Sequence, residues 1–128
     1  MAENNAITRL FNELFSEDNR EALIDVTEWG RDVGFVVPVA FTETLWKAIC
    51  DIPNKWQTFH SVRVRAHDVL FLAAHALREG ERRGLRGNYF SVWLPRPSQL
   101  TEESRLEVTS YESDSGETVV IVGFHTDF

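Results

Sequence analysis

One stretch constrains this chain more than any other: Leu23 to Trp46, LIDVTEWGRDVGFVVPVAFTETLW. Leu23-Ile24-Asp25-Val26 is short, apolar and rich in β-branched residues, which favours a strand. Thr27 stands where an N-cap belongs, because its hydroxyl accepts a bond from an orphan amide one turn on. Glu28 suits the positive end of the helix dipole, and Gly34 supplies a left-handed stop. The helix between them is about two turns long, and Phe35 is expected to fold back onto Trp29. Val36 to Phe41 reads as extended. Pro38 has no amide hydrogen, so this run is expected to be an edge strand or an extended connector rather than a fully paired central strand. Thr42 repeats the N-cap logic, and Leu45, Trp46 and Ile49 give the next helix one apolar face before Pro53 ends it.

The remaining segments are read by periodicity. Ile7, Leu10, Phe11, Leu14 and Phe15 recur with helical spacing, capped by Asn4 or Asn5 and closed by the polar turn Ser16 to Asn19. That apolar face either packs in the core or docks on a partner. Asn54 to His60 is a loop holding Trp56 and Phe59. Ser61 to Glu79 is the longest helix, closed by Gly80. Val62, Ala66, Val69, Leu70, Ala73, Ala76 and Leu77 form its apolar stripe. Phe71 and Leu72 widen that stripe, so burial over more than half the circumference is expected.

Glu81 to Gly87 (ERRGLRG) is a basic turn, Asn88 to Pro95 a strand, and Arg96 to Glu103 a loop. Arg105 to Thr109 alternates polar with apolar, the pattern of a strand with one wet face. Ser113 to Gly116 is a tight turn before a strand from Glu117 to His125, whose Val119-Val120-Ile121-Val122 marks it as central or buried on both sides. The expected fold is α+β: a three-stranded antiparallel sheet, extended if the short N-terminal strands join it, packed against a long central helix and shorter helices.

With 128 residues, the chain makes a single domain large enough to bury a core. Four Trp, nine Phe and two Tyr argue against disorder. Its one cysteine, Cys50, has no intrachain disulfide partner and reads as a small core residue. No apolar run is long enough to span a bilayer, and Glu3 precedes any basic residue, unlike a secretory leader. A cytoplasmic location is the expectation. The net charge of −7 conceals three blocks. Residues 1–43 carry three Arg against nine acids, residues 44–100 nine Lys and Arg against four, and residues 101–128 one Arg against seven. A chain divided in this way can present faces of opposite sign.

The 23–46 stretch resembles the core motif of a family of short bacterial proteins encoded on plasmids, phages and integrated mobile elements. Asp25, Val26, Thr27, Gly34, Phe35, Pro38, Val39, Ala40, Thr42 and Trp46 carry the likeness, joined by Asp68-Val69-Leu70 and the final hairpin. The chain departs from that pattern in a shortened segment between Phe15 and Leu23 and in Trp29-Gly30. The resemblance implies a setting on a mobile genetic element. It implies no catalytic residue.

The residues themselves offer little catalytic chemistry. His67 and His75 are eight apart, about 12 Å along a helix, so they cannot share one metal. Asp68 and His75 are about 10 Å apart by the same rise, too far for a direct acid–base pair. His60 and His125 are isolated, and all four read as partly buried and hydrogen-bonded. No nucleophile elbow, phosphate-binding glycine loop or cysteine–histidine signature occurs, and Glu102-Glu103 reads as solvated charge. The expectation is a non-enzyme without cofactor or metal; a catalyst with dispersed residues is the third choice.

Two charged sets are the candidate binding sites. Arg78, Arg82, Arg83, Arg86 and Arg96 fall within 19 residues, and the planar fork of arginine suits carboxylate or phosphate. Tyr89, Phe90 and Trp93 follow and offer faces on which bases stack. Glu79 and Glu81 dilute the cluster, and the acidic whole is unlike most nucleic-acid binders. A protein partner is therefore preferred over nucleic acid here, and a solvated turn is the plain alternative. The second set is an acidic face of Glu102, Glu103, Glu107, Glu112 and Glu117, able to imitate DNA phosphates against a host enzyme or simply to aid solubility. The reading that results is a small accessory protein of a mobile element acting through a protein partner.

Overall fold

The computed structural model describes residues 23–53, 61–97, 103–112 and 116–128. The expectations for Ile7 to Phe15, for the loop 54–60 with its Trp56, Phe59 and His60, for Glu102 and for turn residues 113–115 lie outside the described residues. The elements are β1 (Leu23–Asp25), α1 (Thr27–Arg31), β2 (Val39–Thr42), α2 (Glu43–Cys50), α3 (Val62–Arg82), β3 (Gly87–Trp93), β4 (Glu103–Glu112) and β5 (Thr118–Phe124), then a 3-10 turn at His125–Asp127.

The fold is α+β, as the residue patterns indicate, but the sheet has five strands and is mixed, in the order β1-β2-β5-β4-β3. The expected antiparallel trio is present: β3 pairs with β4, and β4 with β5, in continuous antiparallel register. To it the N-terminal stretch adds two strands. β1 pairs antiparallel with β2, and β2 pairs parallel with β5, Ala40 standing opposite Ile121. This corrects both the three-stranded count and the placing of Val36 to Phe41 as an edge or connector. Pro38 does not interfere because it precedes the paired run, where only its carbonyl is needed, and that carbonyl accepts from the Val120 amide at 2.9 Å. β5 is central, as its apolar run implied, and Val119 to Gly123 are buried.

Two of the punctuating residues, Gly34 and Thr42, act as expected, Thr27 and Gly80 do not, and Ser61, read as helical, is a cap. Gly34 has φ +101°, and the amides of Gly34 and Phe35 return to the carbonyls of Arg31 and Gly30, a Schellman closure of α1. The hydroxyl of Thr42 accepts from the Leu45 amide, and that of Ser61 from the Val64 amide, capping α2 and α3. Thr27, in contrast, is the first helical residue and not the cap. Asp25 takes that part, its carboxylate accepting from the Thr27 amide at 2.9 Å and from the Thr27 hydroxyl. The freed lone pair of that hydroxyl accepts from the Val39 amide at 3.2 Å, which ties β2 to the start of α1. Trp29 turns to Trp46, ring centres 6.2 Å apart, with the Arg63 guanidinium over its ring at 5.7 Å.

Gly80 does not end the long helix, which continues to Arg82. The stop is Gly84 at φ +76°, where the amides of Gly84 and Leu85 bond back to the carbonyls of Glu81 and Gly80. Gly80 is buried instead and lets α3 pass close to β3: a Cβ there would lie 2.7 Å from the Gly87 carbonyl oxygen. One face of α3, including Ala66, Val69, Leu70, Ala73 and Leu77, packs with Val39, Phe41, Leu45, Ile49, Leu106, Val108, Val120 and Val122 in the main core. Each large side chain buried there contributes roughly 1.5–3 kcal/mol. Phe71 does not join it, being 58% exposed, so the apolar stripe is narrower than its composition suggested. None of the described helices is long and apolar enough to cross a membrane.

The helices lie on the face of the sheet that carries Val120 and Val122. The opposite face has a second apolar cluster of Ala40, Val119 and Ile121, with Leu23 and Tyr111 against it. Burial, then the nearby Glu107 carboxylate, push the Tyr111 phenol above its ordinary pKa of 10.0. The fold thus favours the neutral phenol. Its contribution to stability is complete below pH 10.0 and is lost as pH rises through the higher folded value. Urea melts should show the native chain losing more stability above pH 10.0 than Tyr111→Phe does, and parallel losses would contradict this.

Candidate functional site

The structure divides the five candidate arginines. Arg78, Arg82, Arg83 and Arg86 gather where α3 ends and β3 begins. Arg96 sits elsewhere, donating to the Ser104 hydroxyl at 3.3 Å and lying over the Phe124 ring at 5.4 Å. The Arg86 carbonyl meets the Ser110 amide, and Ser110 is six strand residues from Ser104, so the two ends lie about 20 Å apart. Of the four that gather, Arg82 is held by Glu79 at 2.7 Å and Arg83 donates to the Asn88 side chain at 3.2 Å. Asn88 in turn donates to the Ala76 carbonyl, fixing the turn against the helix. Arg78 makes only a long 3.4 Å bond to the Ala74 carbonyl of its own helix. Among the described residues, the Arg86 guanidinium has no hydrogen bond or ion pair.

Arg78 and Arg86 both line a half-open cleft of about 480 Å³. Its walls are the segment Val33 to Val37, the C-terminal half of α3, Leu85 and Arg86, and the β4–β5 end marked by Ser110, Thr118 and Val120. The local chain explains the shape. The Schellman closure at Gly34 turns the chain sharply, so Phe35 is buried while Val36, its neighbour, is 94% exposed on the rim. The second closure at Gly84 places Leu85, also exposed, on the other side. The floor is apolar, and its charged lining is Arg78 and Arg86 against Glu81. Spacing along the chain did not reveal this cleft, because its walls come from three segments, 33–37, 74–86 and 110–120, that lie far apart in sequence. The signals present in sequence were the two glycines, Gly34 and Gly84.

The aromatic residues beside the turn are divided, and Tyr89 is nearly half exposed. Phe90 packs against the core. Tyr89 has the Arg105 guanidinium over its ring at 4.9 Å and the His125 ring edge-on at 4.9 Å. Trp93 is nearly half exposed at the far end of β3. The acidic candidates are dispersed as well. Glu103 and Glu112 mark opposite ends of β4 and, nine residues apart, opposite faces of the sheet. Glu107 is mostly buried and engaged, accepting from the Thr109 hydroxyl at 2.8 Å and pairing with His125 at 3.6 Å. Glu117 is half-buried just before β5.

The histidines and Cys50 differ from their sequence reading. His67, His75 and His125 are exposed rather than partly buried; His67 stacks on Phe71 instead of filling the core. Among the described residues no three His, Cys, Asp or Glu side chains come together as metal ligands. Cys50 is exposed at the last turn of α2, because the apolar face of that helix runs through Leu45, Ala48 and Ile49. Partial burial of its thiol raises the pKa, with Arg65 acting in the other direction.

A five-stranded mixed sheet beneath one long helix, with an arginine-flanked cleft at the C-terminal end of that helix, defines the class: a small α+β domain with an open groove. No protein-family model matches the chain, and neither does any curated protein or solved structure.

Proposed function

We propose that the chain is a small binding protein of a mobile genetic element, acting through a protein partner that seats in the cleft between Val33–Val37 and the end of α3. The cleft itself carries this reading: an apolar floor, an exposed Val36 on its rim, and two arginines on its walls that are only weakly engaged. Sites of this volume and lining are where proteins commonly take ligands. The mobile-element setting rests on the resemblance carried by Asp25 to Trp46. Binding, and not catalysis, is the assigned role.

Nucleic acid is the competing partner for the same arginines. It is less favoured because Arg82 and Arg83 are already engaged, the Tyr89 ring already carries the Arg105 guanidinium, and Glu81 stands in the cleft wall. A photo-crosslinking residue at Val36, expressed in the native host, should capture a protein. That adduct should disappear when Arg78→Glu and Arg86→Glu are combined. An adduct that survives both reversals, or oligonucleotide binding whose salt slope falls on reversal, would overturn the proposal.

A further inference from the structure

We infer that the partner presents to this cleft an apolar segment flanked by carboxylates; the inference rests on the reading of the cleft as the partner site. Shape and charge both contribute. Phe35, Val37, Leu77 and Val120 in its lining match aliphatic or aromatic side chains, with Ser110 and Thr118 as the uncharged polar groups beside them. Burying such side chains is the main favourable term for any occupant.

The charges on the walls then select among apolar segments. Two guanidiniums, Arg78 and Arg86, stand against one carboxylate, Glu81. Arg86 has all its donors unengaged among the described residues, and Arg78 gives up only its long bond to Ala74 on meeting a better acceptor. A carboxylate takes two parallel N–H bonds from one such fork. A polyphosphate needs many cations along its length, more than the two that line this cleft. A basic segment would place like charges together at both arginines. An acidic, apolar stretch of a partner protein is thus the occupant whose chemistry the walls complete. Arg82 and Arg83, a turn away, add a positive approach for the same partner without leaving Glu79 and Asn88.

The test uses two short synthetic peptides with the same apolar pattern, one flanked by Glu and its twin by Lys, each titrated against the full chain by fluorescence anisotropy. The Glu peptide should bind about ten-fold more tightly than the Lys peptide, as expected for two charge-assisted contacts, and Arg78→Glu with Arg86→Glu should reverse that order. Val36→Asp, a change at a fully solvated rim position, should weaken the Glu peptide without altering the melting temperature. Equal affinities, preference for the Lys peptide, or binding of neither would overturn the inference. If Val36 crosslinks an arginine-dependent partner while the peptides show no preference, only the assigned chemistry fails. If no such partner is captured either, the cleft is not the binding site.

Discussion

Replacing Gly80 by alanine is expected to lower the stability of the domain by about 1–2 kcal/mol, although an alanine in mid-helix would ordinarily raise it by about 1 kcal/mol. The reversal of sign comes from the crossing of α3 over β3. A Cβ at this position would lie 2.7 Å from the Gly87 carbonyl oxygen and 3.3 Å from the Asn88 Cβ, and neither neighbour is the free end of a flexible side chain. Relief requires the two backbones to separate, which loosens the packing of Ala73, Ala76 and Leu77 and strains the Asn88 bond to the Ala76 carbonyl. Denaturant melts should show a lower midpoint with an unchanged slope. If the variant is instead stabilised by the amount that helix propensity alone provides, the helix and strand do not approach this closely.

The second large effect concerns Arg65, for which two substitutions should act in opposite directions. Its side chain is 3% exposed, and its one side-chain bond among the described residues runs to the Ala48 carbonyl near the end of α2, at 3.1 Å. Among the described residues, the buried Nε and Nη1 have no hydrogen-bond partner and no carboxylate lies within ion-pair distance. Burial, then the like charge of Arg96, hold its pKa below the ordinary arginine value, with Asp51 and Cys50 acting the other way. A desolvated cation in this position costs more than its single bond returns. Arg65→Met keeps the volume of the stem and removes the unmet donors, so it is expected to stabilise by about 1–2 kcal/mol. Arg65→Ala removes the volume too and leaves a cavity, with a loss of about 2–4 kcal/mol. Thermal melts of the pair check both. A methionine variant less stable than the native chain would show that the guanidinium has an acceptor worth keeping.

Much of the fold was legible because it is written in local periods. The alternation from Arg105 to Thr109, the unbroken Val119 to Val122, and the hydroxyl cap at Thr42 each depend on residues within one turn or one strand of one another. What could not be read depends on separation. Ala40 and Ile121 are 81 positions apart, and no local pattern announces that they pair in parallel. Pro38 misled for the same reason: its missing donor matters only if a partner needs it, and the partner needs its carbonyl. Asp25 outcompeted Thr27 for the cap because an ionised carboxylate accepts more strongly than a hydroxyl, leaving the hydroxyl free for Val39. Of the site, sequence indicated the arginine-rich turn. It missed that Arg96 belongs to the other end of the sheet and that the walls of the cleft meet only when the chain is folded.

The position of β5 has a consequence for how the protein is made. Both halves of the sheet meet on this strand, so until residues 118–124 leave the ribosome β2 and β4 each present an unmet edge to the cell. The sheet therefore closes only once β5 is made, after every other strand it joins has been synthesised, and a chain cut short before residue 118 is not a smaller version of the finished molecule.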